Sequence, residues 1–229
     1  MIMAANLVRN FHYPATHSAE ALAQVLAHMD ETSCPLSYNF HLHTTFSDGR
    51  MTPLGLAQQA IDVGLKGFAI TDHHSIDGYR AAHEFLCDRP QPPQLWSGLE
   101  ITSQLLDDDV HILCYAFDPN HPTLAPYVTG DAPTGVDCQA AQVIDAIHNA
   151  GGITVLAHPV RYRRSPEDLI AAAVQLGIDG VEVYYAYNNP SPWKPSPRQT
   201  ERVLQLAQQF GLLRTGGTDS HGFSLLQRL

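Results

Sequence analysis

AQQAIDVGLKGFAITDH (57–73), IDAIHNAGGITVLAHP (144–159), LIAAAVQLGIDGVEVYY (169–185) and RVLQLAQQFGLLRTGGTDSH (202–221) repeat one pattern: a helical stretch, a glycine, then a short apolar strand. Gly64, Gly151, Gly177 and Gly211 stand where a helix ends on a left-handed residue, a conformation glycine adopts without steric cost. The helix starts are as legible. Thr52-Pro53, Ser165-Pro166 and Ser196-Pro197 each set a capping hydroxyl before a proline at the first helical position, and Asp168 and Gln199 fall three residues after their serines, as in a capping box. Short apolar runs bounded by Pro, Gly or Asp predict further strands at 38–43, 95–102 and 110–117. With about seven strands alternating with helices, the expectation is an α/β fold whose largely parallel sheet closes into a barrel. No GxGxxG or GxxxxGK loop follows a strand, which weighs against an open doubly wound sheet.

Around these units, 229 residues at 44% hydrophobic and 16% charged suffice for one domain with a sizeable core. Residues 1–37 read as an N-terminal extension carrying an Ala-rich candidate helix from about Ser18 to Glu31, and 38–229 as the domain proper. Segments 86–94, 118–135 and 186–197 are Pro-rich and read as loops. Lys and Arg total 13 against 23 Asp and Glu, and the resulting net charge of −10 excludes a broad basic surface for duplex nucleic acid. A small anionic substrate remains compatible, because bound cations would make the local field positive. No apolar run reaches bilayer length, and MIMAANLVRNFHYP lacks the pattern of a secretory leader, so a cytoplasmic protein with no membrane association is expected. Cys34, Cys87, Cys114 and Cys138 lie far apart without a CxxC pair, which fits reduced structural thiols.

The chemistry-bearing residues gather at the strand ends. His41 and His43 are two apart on the first strand and share a face. Asp48 follows in SDG, His73 ends the second strand, Glu100 lies in the third, the fourth begins near His111, His158 ends the fifth, and Asp219 and His221 end the last. In a βα barrel the active site forms at this end. Each position alone has an ordinary structural explanation, since a buried histidine is usually just hydrogen-bonded and SDG is usually a turn. Six histidines and three acids at successive strand ends are harder to bury unpaired, whereas divalent cations would satisfy their lone pairs and charges together.

HLHTTFSDG (41–49), ITDHHSIDG (70–78), GLEIT (98–102), HIL (111–113), AHPVRY (157–162) and GTDSHG (217–222) resemble, in order, the motifs of the PHP (polymerase and histidinol phosphatase) superfamily. Among its members the resemblance is to bacterial metal-dependent phosphoesterases, which include nucleoside 3′,5′-bisphosphate phosphatases and 5′-to-3′ exonucleases of short RNA. It implies a distorted (β/α)7 TIM-like barrel with a trinuclear site. Carried over by motif, His41, His43, Glu100 and Asp219 would hold one metal, Glu100, His111 and His158 a second, and Asp48, His73 and His221 a third. Imidazole and carboxylate donors without thiolate suit Mn, Zn or Fe.

The reaction so implied is hydrolysis of a phosphate ester, of a nucleotide or short single-stranded RNA, by metal-activated hydroxide. Glu100, bridging two cations, and Arg161, clamping the substrate phosphate through its planar donor fork, are the expected catalytic residues. His74, Tyr184 and Tyr185 receive no catalytic role. The sequence leaves open a histidinol-phosphatase-like or other small-molecule phosphatase, an amidohydrolase-type barrel, and a noncatalytic metal-binding module. Among the departures from the family pattern are a short stretch between His111 and His158, His74 where an acid or amide is usual, and a long leader before the first HxH.

Overall fold

The computed structural model describes residues 18–229; the opening stretch from which no secretory leader is expected lies outside the described residues. Helix α1 (Ala19–Ala27) starts on Ser18, whose hydroxyl accepts from Ala21 N, and it ends four residues short of the expected Glu31. In α2 (Pro53–Val63) and α5 (Pro166–Gln175) the caps act as the sequence predicts: Thr52 accepts from Gly55 N and Ser165 from Asp168 N. Ser196 departs from that expectation. It precedes α6 (Pro197–Phe210) without capping it, because its hydroxyl instead accepts the N–H of Tyr187 at 2.9 Å. The four glycine stops all have positive φ, between 69° and 88°. α3 (Asp77–Cys87) has neither a side-chain cap nor a glycine stop, so no punctuation marked it. α4 (Ala140–Asn149) precedes Gly151, and a 3-10 helix (Pro122–Tyr127) interrupts the segment expected to be wholly loop.

The strands are β1 (Tyr38–Asn39), β2 (Gly67–Ala69), β3 (Gln94–Trp96), β4 (Gly98–Leu105), β5 (Asp108–Tyr115), β6 (Ile153–Leu156), β7 (Gly180–Tyr184) and β8 (Leu213–Gly216). Only Ser97 separates β3 from β4, so the pair is one run that begins against β2 and continues against β5. Two sheets result, β1-β2-β3 and β4-β5-β6-β7-β8. They meet along two seams. On one, Phe40 N, His43 N and Asp219 N bond Gly216 O, Ser220 O and His41 O. On the other, Glu100 N bonds Asp72 O and His74 N bonds Glu100 O. The strand runs thus follow one another round a distorted (β/α)7 frame, as the motif order implied.

The expectation of a largely parallel sheet needs correction at β5, which runs antiparallel to both β4 and β6. The physical cause is the connection: only Leu106 and Asp107 join β4 to β5, too few for a parallel crossover. His111 therefore sits mid-strand, opposite Thr102, rather than at a strand start.

Two apolar clusters fill the fold. The larger joins the β4–β8 sheet to α4, α5, α6 and α1, and the smaller packs α2 and α3 on Leu42 and Phe68. α1 buries Leu22 and Leu26 completely and contacts β8, and Arg214 Nη2 bonds Ala27 O at 2.6 Å. Each such leucine contributes about 1.5–3 kcal/mol, so α1 is part of the folded unit. No helix among the described residues is long and apolar enough to cross a membrane.

Candidate metal centre

The nine sequence-selected residues come from separate elements and meet at one place. His41 and His43 follow β1, Asp48 lies in the next turn, His73 follows β2, Glu100 lies in β4 and His111 in β5. His158 follows β6, and Asp219 and His221 follow β8. Their imidazole rings pack against one another: the ring centroid of His43 lies 4.7 Å from that of His73 and 4.3 Å from that of His221, and that of His41 5.6 Å from that of His158. His41, His43, Glu100, His158 and Asp219 are buried, while Asp48 is the most open. Two of the nine, His158 and Asp219, hold positive φ (27° and 53°) although neither is glycine. Such strain persists only where surrounding contacts over-determine it, and here hydrogen bonds from His158 N to Glu182 of β7 and from Asp219 N to His41 O do so.

Donor atoms form three groups in which all members lie within 4.8 Å of one another: His41, His43, Glu100 and Asp219; His43, Asp48, His73 and His221; and His73, Glu100 and His111. His158 Nε2 lies 3.3 Å from Glu100 Oε1, and His111 Nδ1 lies 2.8 Å from the same oxygen. Glu100 Oε2 faces the other way, 3.0 Å from His41 Nε2 and 3.1 Å from His43 Nε2. One carboxylate thus presents separate oxygens to two histidine sets. His43 and His73 each belong to two groups, which the motif-based division did not foresee.

In the first group the separations also fit ligands around a common ion. His41 Nε2 is 3.4 Å and His43 Nε2 3.3 Å from Asp219 Oδ1. A tetrahedron with metal–nitrogen bonds near 2.0–2.1 Å has edges of about 3.3 Å. Both ring nitrogens of buried His43 and Nδ1 of buried His158 lack any hydrogen bond. Leaving them so costs free energy that a cation would recover, so the donor set fits divalent metals.

The electrostatics agree. Burial opposes charge on His43, yet the Asp219 and Glu100 carboxylates push its pKa up to about 9. His41 is likewise held well above the usual range, against burial, by Glu100, Glu182 and Asp219. Burial would raise Glu100 and Asp219, but the surrounding imidazoles hold both carboxyls well below their ordinary range. His73 is the counterexample. Burial, with His43 and His111 adding to it against Glu100, lowers its pKa to about 4.

Four supporting residues were not anticipated. Glu182 in β7 is fully buried; its Oε1 takes His41 Nδ1 at 2.9 Å and its Oε2 takes the His158 N–H at 2.8 Å. With Nδ1–H directed at Glu182, Nε2 is left to face the cluster. An acid within the apolar run GVEVYY was the available signal. Asp72 accepts from Thr44 N and Oγ1 (2.6 Å each) and Ser47 Oγ (2.7 Å), locking the loop that carries Asp48. Tyr162 Oη accepts the His111 N–H at 2.8 Å. Arg228 Nε donates to Asp219 Oδ2 at 2.8 Å, a contact no strand-end pattern could indicate.

An irregularity between Glu182 and Tyr184 breaks the alternation of β7, so Tyr184 bonds Met29 O while Tyr185 donates to Asp219 Oδ2 at 2.6 Å. His74 is buried and reaches Thr102 Oγ1 at 3.2 Å. Arg161, 40% exposed, places Nη1 3.2 Å from both Tyr185 Oη and Asp219 Oδ2. All four cysteines are free.

Residues 39–208 match the PHP domain family model. The chain belongs to the PHP-domain family. Among curated relatives, this chain is 24% identical over an alignment of 264 residues to the 5′-3′ exoribonuclease Rnm of Escherichia coli strain K12, covering 84% of this chain and 88% of that protein. It is 22% identical over 254 residues to a 5′-3′ exoribonuclease of Haemophilus influenzae, covering 80% and 89%. The first alignment exceeds the 229 residues of the whole chain, so that exoribonuclease holds residues without counterpart here.

Among solved structures, a protein described as a metal-dependent phosphoesterase from Bifidobacterium adolescentis superposes with a TM-score of 0.67 at 27% identity, covering 82% and 88% of the two chains. An amidohydrolase from Chromobacterium violaceum, with bound sulfate and no metal, gives 0.68 at 21%, covering 81% and 88%, a likeness of fold alone. The PHP chain is accordingly a metal-dependent phosphoesterase, a hydrolase whose histidines and carboxylates suit divalent cations.

Proposed function

We propose that this PHP phosphoesterase hydrolyses a phosphate ester of a nucleotide or short single-stranded RNA with three divalent cations, of Mn, Zn or Fe. The observation that carries the reading is the convergence of six imidazoles and three carboxylates, with Glu100 presenting one oxygen to each of two histidine sets. His41, His43, Glu100 and Asp219 would hold one cation, Glu100, His111 and His158 a second, and Asp48, His73 and His221 a third. Bound cations supply a nucleophilic water at neutral pH and neutralise charge on the phosphoryl oxygens. The protein's own groups do the rest. Glu182 orients His41 and His158, Tyr162 orients His111, and Arg161 offers its remaining guanidinium donors at the rim to a phosphoryl oxygen. The exoribonuclease names of the relatives favour a nucleotide substrate.

The test is phosphate release by Mn-loaded protein from adenosine 3′,5′-bisphosphate, histidinol phosphate and a 5′-phosphorylated RNA oligomer, with elemental analysis and His43→Ala as control. Turnover of the bisphosphate or the oligomer by wild type alone, at about three ions per chain, is the expected result. Turnover of histidinol phosphate alone would move the substrate to small-molecule phosphates. Absence of release from all three, with hydrolysis of an amide instead, would overturn the reading.

A further inference from the structure

Segment 222–229 brings a second guanidinium to the site, and the hydrolytic scheme above leaves it unused. Asp219 divides its oxygens. Oδ1 lies 3.4 and 3.3 Å from His41 and His43 Nε2, within the cation-binding group. Oδ2 accepts from Tyr185 Oη at 2.6 Å, Arg228 Nε at 2.8 Å and Arg161 Nη1 at 3.2 Å. One carboxylate oxygen therefore meets two full positive charges that approach it from different chain segments. A single carboxylate balances one of them at most, and its second oxygen is engaged elsewhere. Two guanidiniums touching the same atom repel each other, and an additional anion with several oxygens would relieve that repulsion.

Arg228 does not arrive by chance on a loose tail. Leu225 is fully buried; its carbonyl accepts from Asn39 Nδ2 and Thr218 Oγ1 at 2.9 Å each, and its N–H donates to Gln59 Oε1 at 3.1 Å. Ser220 Oγ donates to Ser224 O at 2.8 Å, and the Arg228 carbonyl accepts the His221 N–H at 2.6 Å. The guanidinium is thus positioned before any ligand binds, which lowers the ordering cost of binding. It also stands beside Asp219, where the phosphoryl group must sit if the cations polarise it. An arginine fork matches two phosphoryl oxygens in a way a point charge does not.

We propose that Arg228 and Arg161 together form a two-guanidinium receptor for a phosphoryl group of the substrate, Arg228 being a binding residue of the same site. The proposal rests on the phosphoesterase reading and deepens it. The test is calorimetric titration of the metal-loaded full chain with inorganic phosphate, for wild type, Arg228→Ala, Arg228→Lys and Arg161→Ala, with elemental analysis of each. Arg228→Ala is expected to weaken phosphate binding about tenfold or more while retaining wild-type metal content. Arg228→Lys, which keeps the charge but loses the fork, is expected to fall between. Unchanged phosphate affinity in Arg228→Ala would overturn the proposal. So would a parallel loss of metal in both Arg228 variants, which would make Arg228 a support for Asp219 only. Wild type that binds phosphate through Arg228 yet releases none from any ester would sink the activity reading and leave the receptor standing.

Discussion

Glu182→Gln tests whether the buried carboxylate of β7 holds two metal-facing histidines in place. Glu182 accepts the His41 Nδ1–H at 2.9 Å through one oxygen and the His158 N–H at 2.8 Å through the other. Glutamine has nearly the same shape but one acceptor oxygen, so its amide N–H must face one of the two donors. One charge-assisted hydrogen bond is lost, at about 1.5–3 kcal/mol, and a buried donor is left unpaired. If that loss falls on the metal-facing geometry, metal affinity drops by about 10–100-fold, as for other partners of metal-bound histidines. That is about 1.4–2.7 kcal/mol, the same range. The assay is competition for Zn against a chelator at fixed pH, with urea unfolding of the metal-free protein alongside. Glu182→Asp keeps the charge on a shorter arm and should lie between. An affinity within twofold of wild type would refute the reasoning, for then neither His41 nor the strained His158 depends on β7.

Two further outcomes follow from the same geometry. With its pKa raised to about 9 against burial, His43 is protonated at pH 7 in the metal-free protein, as is His41, so an incoming cation must displace their protons. Glu100 and Asp219, lowered, are already ionised there, and His73, lowered to about 4, is already neutral, so these release none. Apparent metal affinity should therefore climb about tenfold per pH unit for each proton displaced, the His43 contribution ending above about pH 9, read by calorimetry in buffers of different ionisation enthalpy. Zero proton release at pH 7 would contradict this. Gly217→Ala should cost about 1–3 kcal/mol and lower metal content, because the added Cβ would stand 2.2 Å from His41 Cβ and 2.5 Å from its backbone nitrogen. Thermal melting and elemental analysis check it; a variant with unchanged Tm and metal content would show that the chain at His41 can yield.

Much of this was legible along the chain because the signals are local. A glycine after a helical stretch, or a hydroxyl before a proline, acts within one turn of backbone, and most such marks hold. They fail where a longer-range partner competes, as when the Ser196 hydroxyl turns to Tyr187 N instead of capping α6. They are silent where no punctuation exists, as at α3. The antiparallel course of β5 was hidden for a related reason: alternation and composition do not record direction, and only the two-residue link after β4 forces the reversal.

The same division runs through the site. Metal-capable side chains at strand ends are visible in one dimension because a βα frame brings successive strand ends together, so His41, His43, Glu100, His158 and Asp219 could be named from the sequence. How those donors share space is a three-dimensional matter. That His43 belongs to two groups, that Glu182 links His41 to His158, and that Arg228 and Arg161 meet on one oxygen of Asp219 all depend on contacts between residues distant in sequence. Sequence by itself determined the chemistry available to this protein, since residue types and their phase on strands are local properties. Only the tertiary structure decided the electrostatics, since charge interactions depend on separations and burial that no single segment contains.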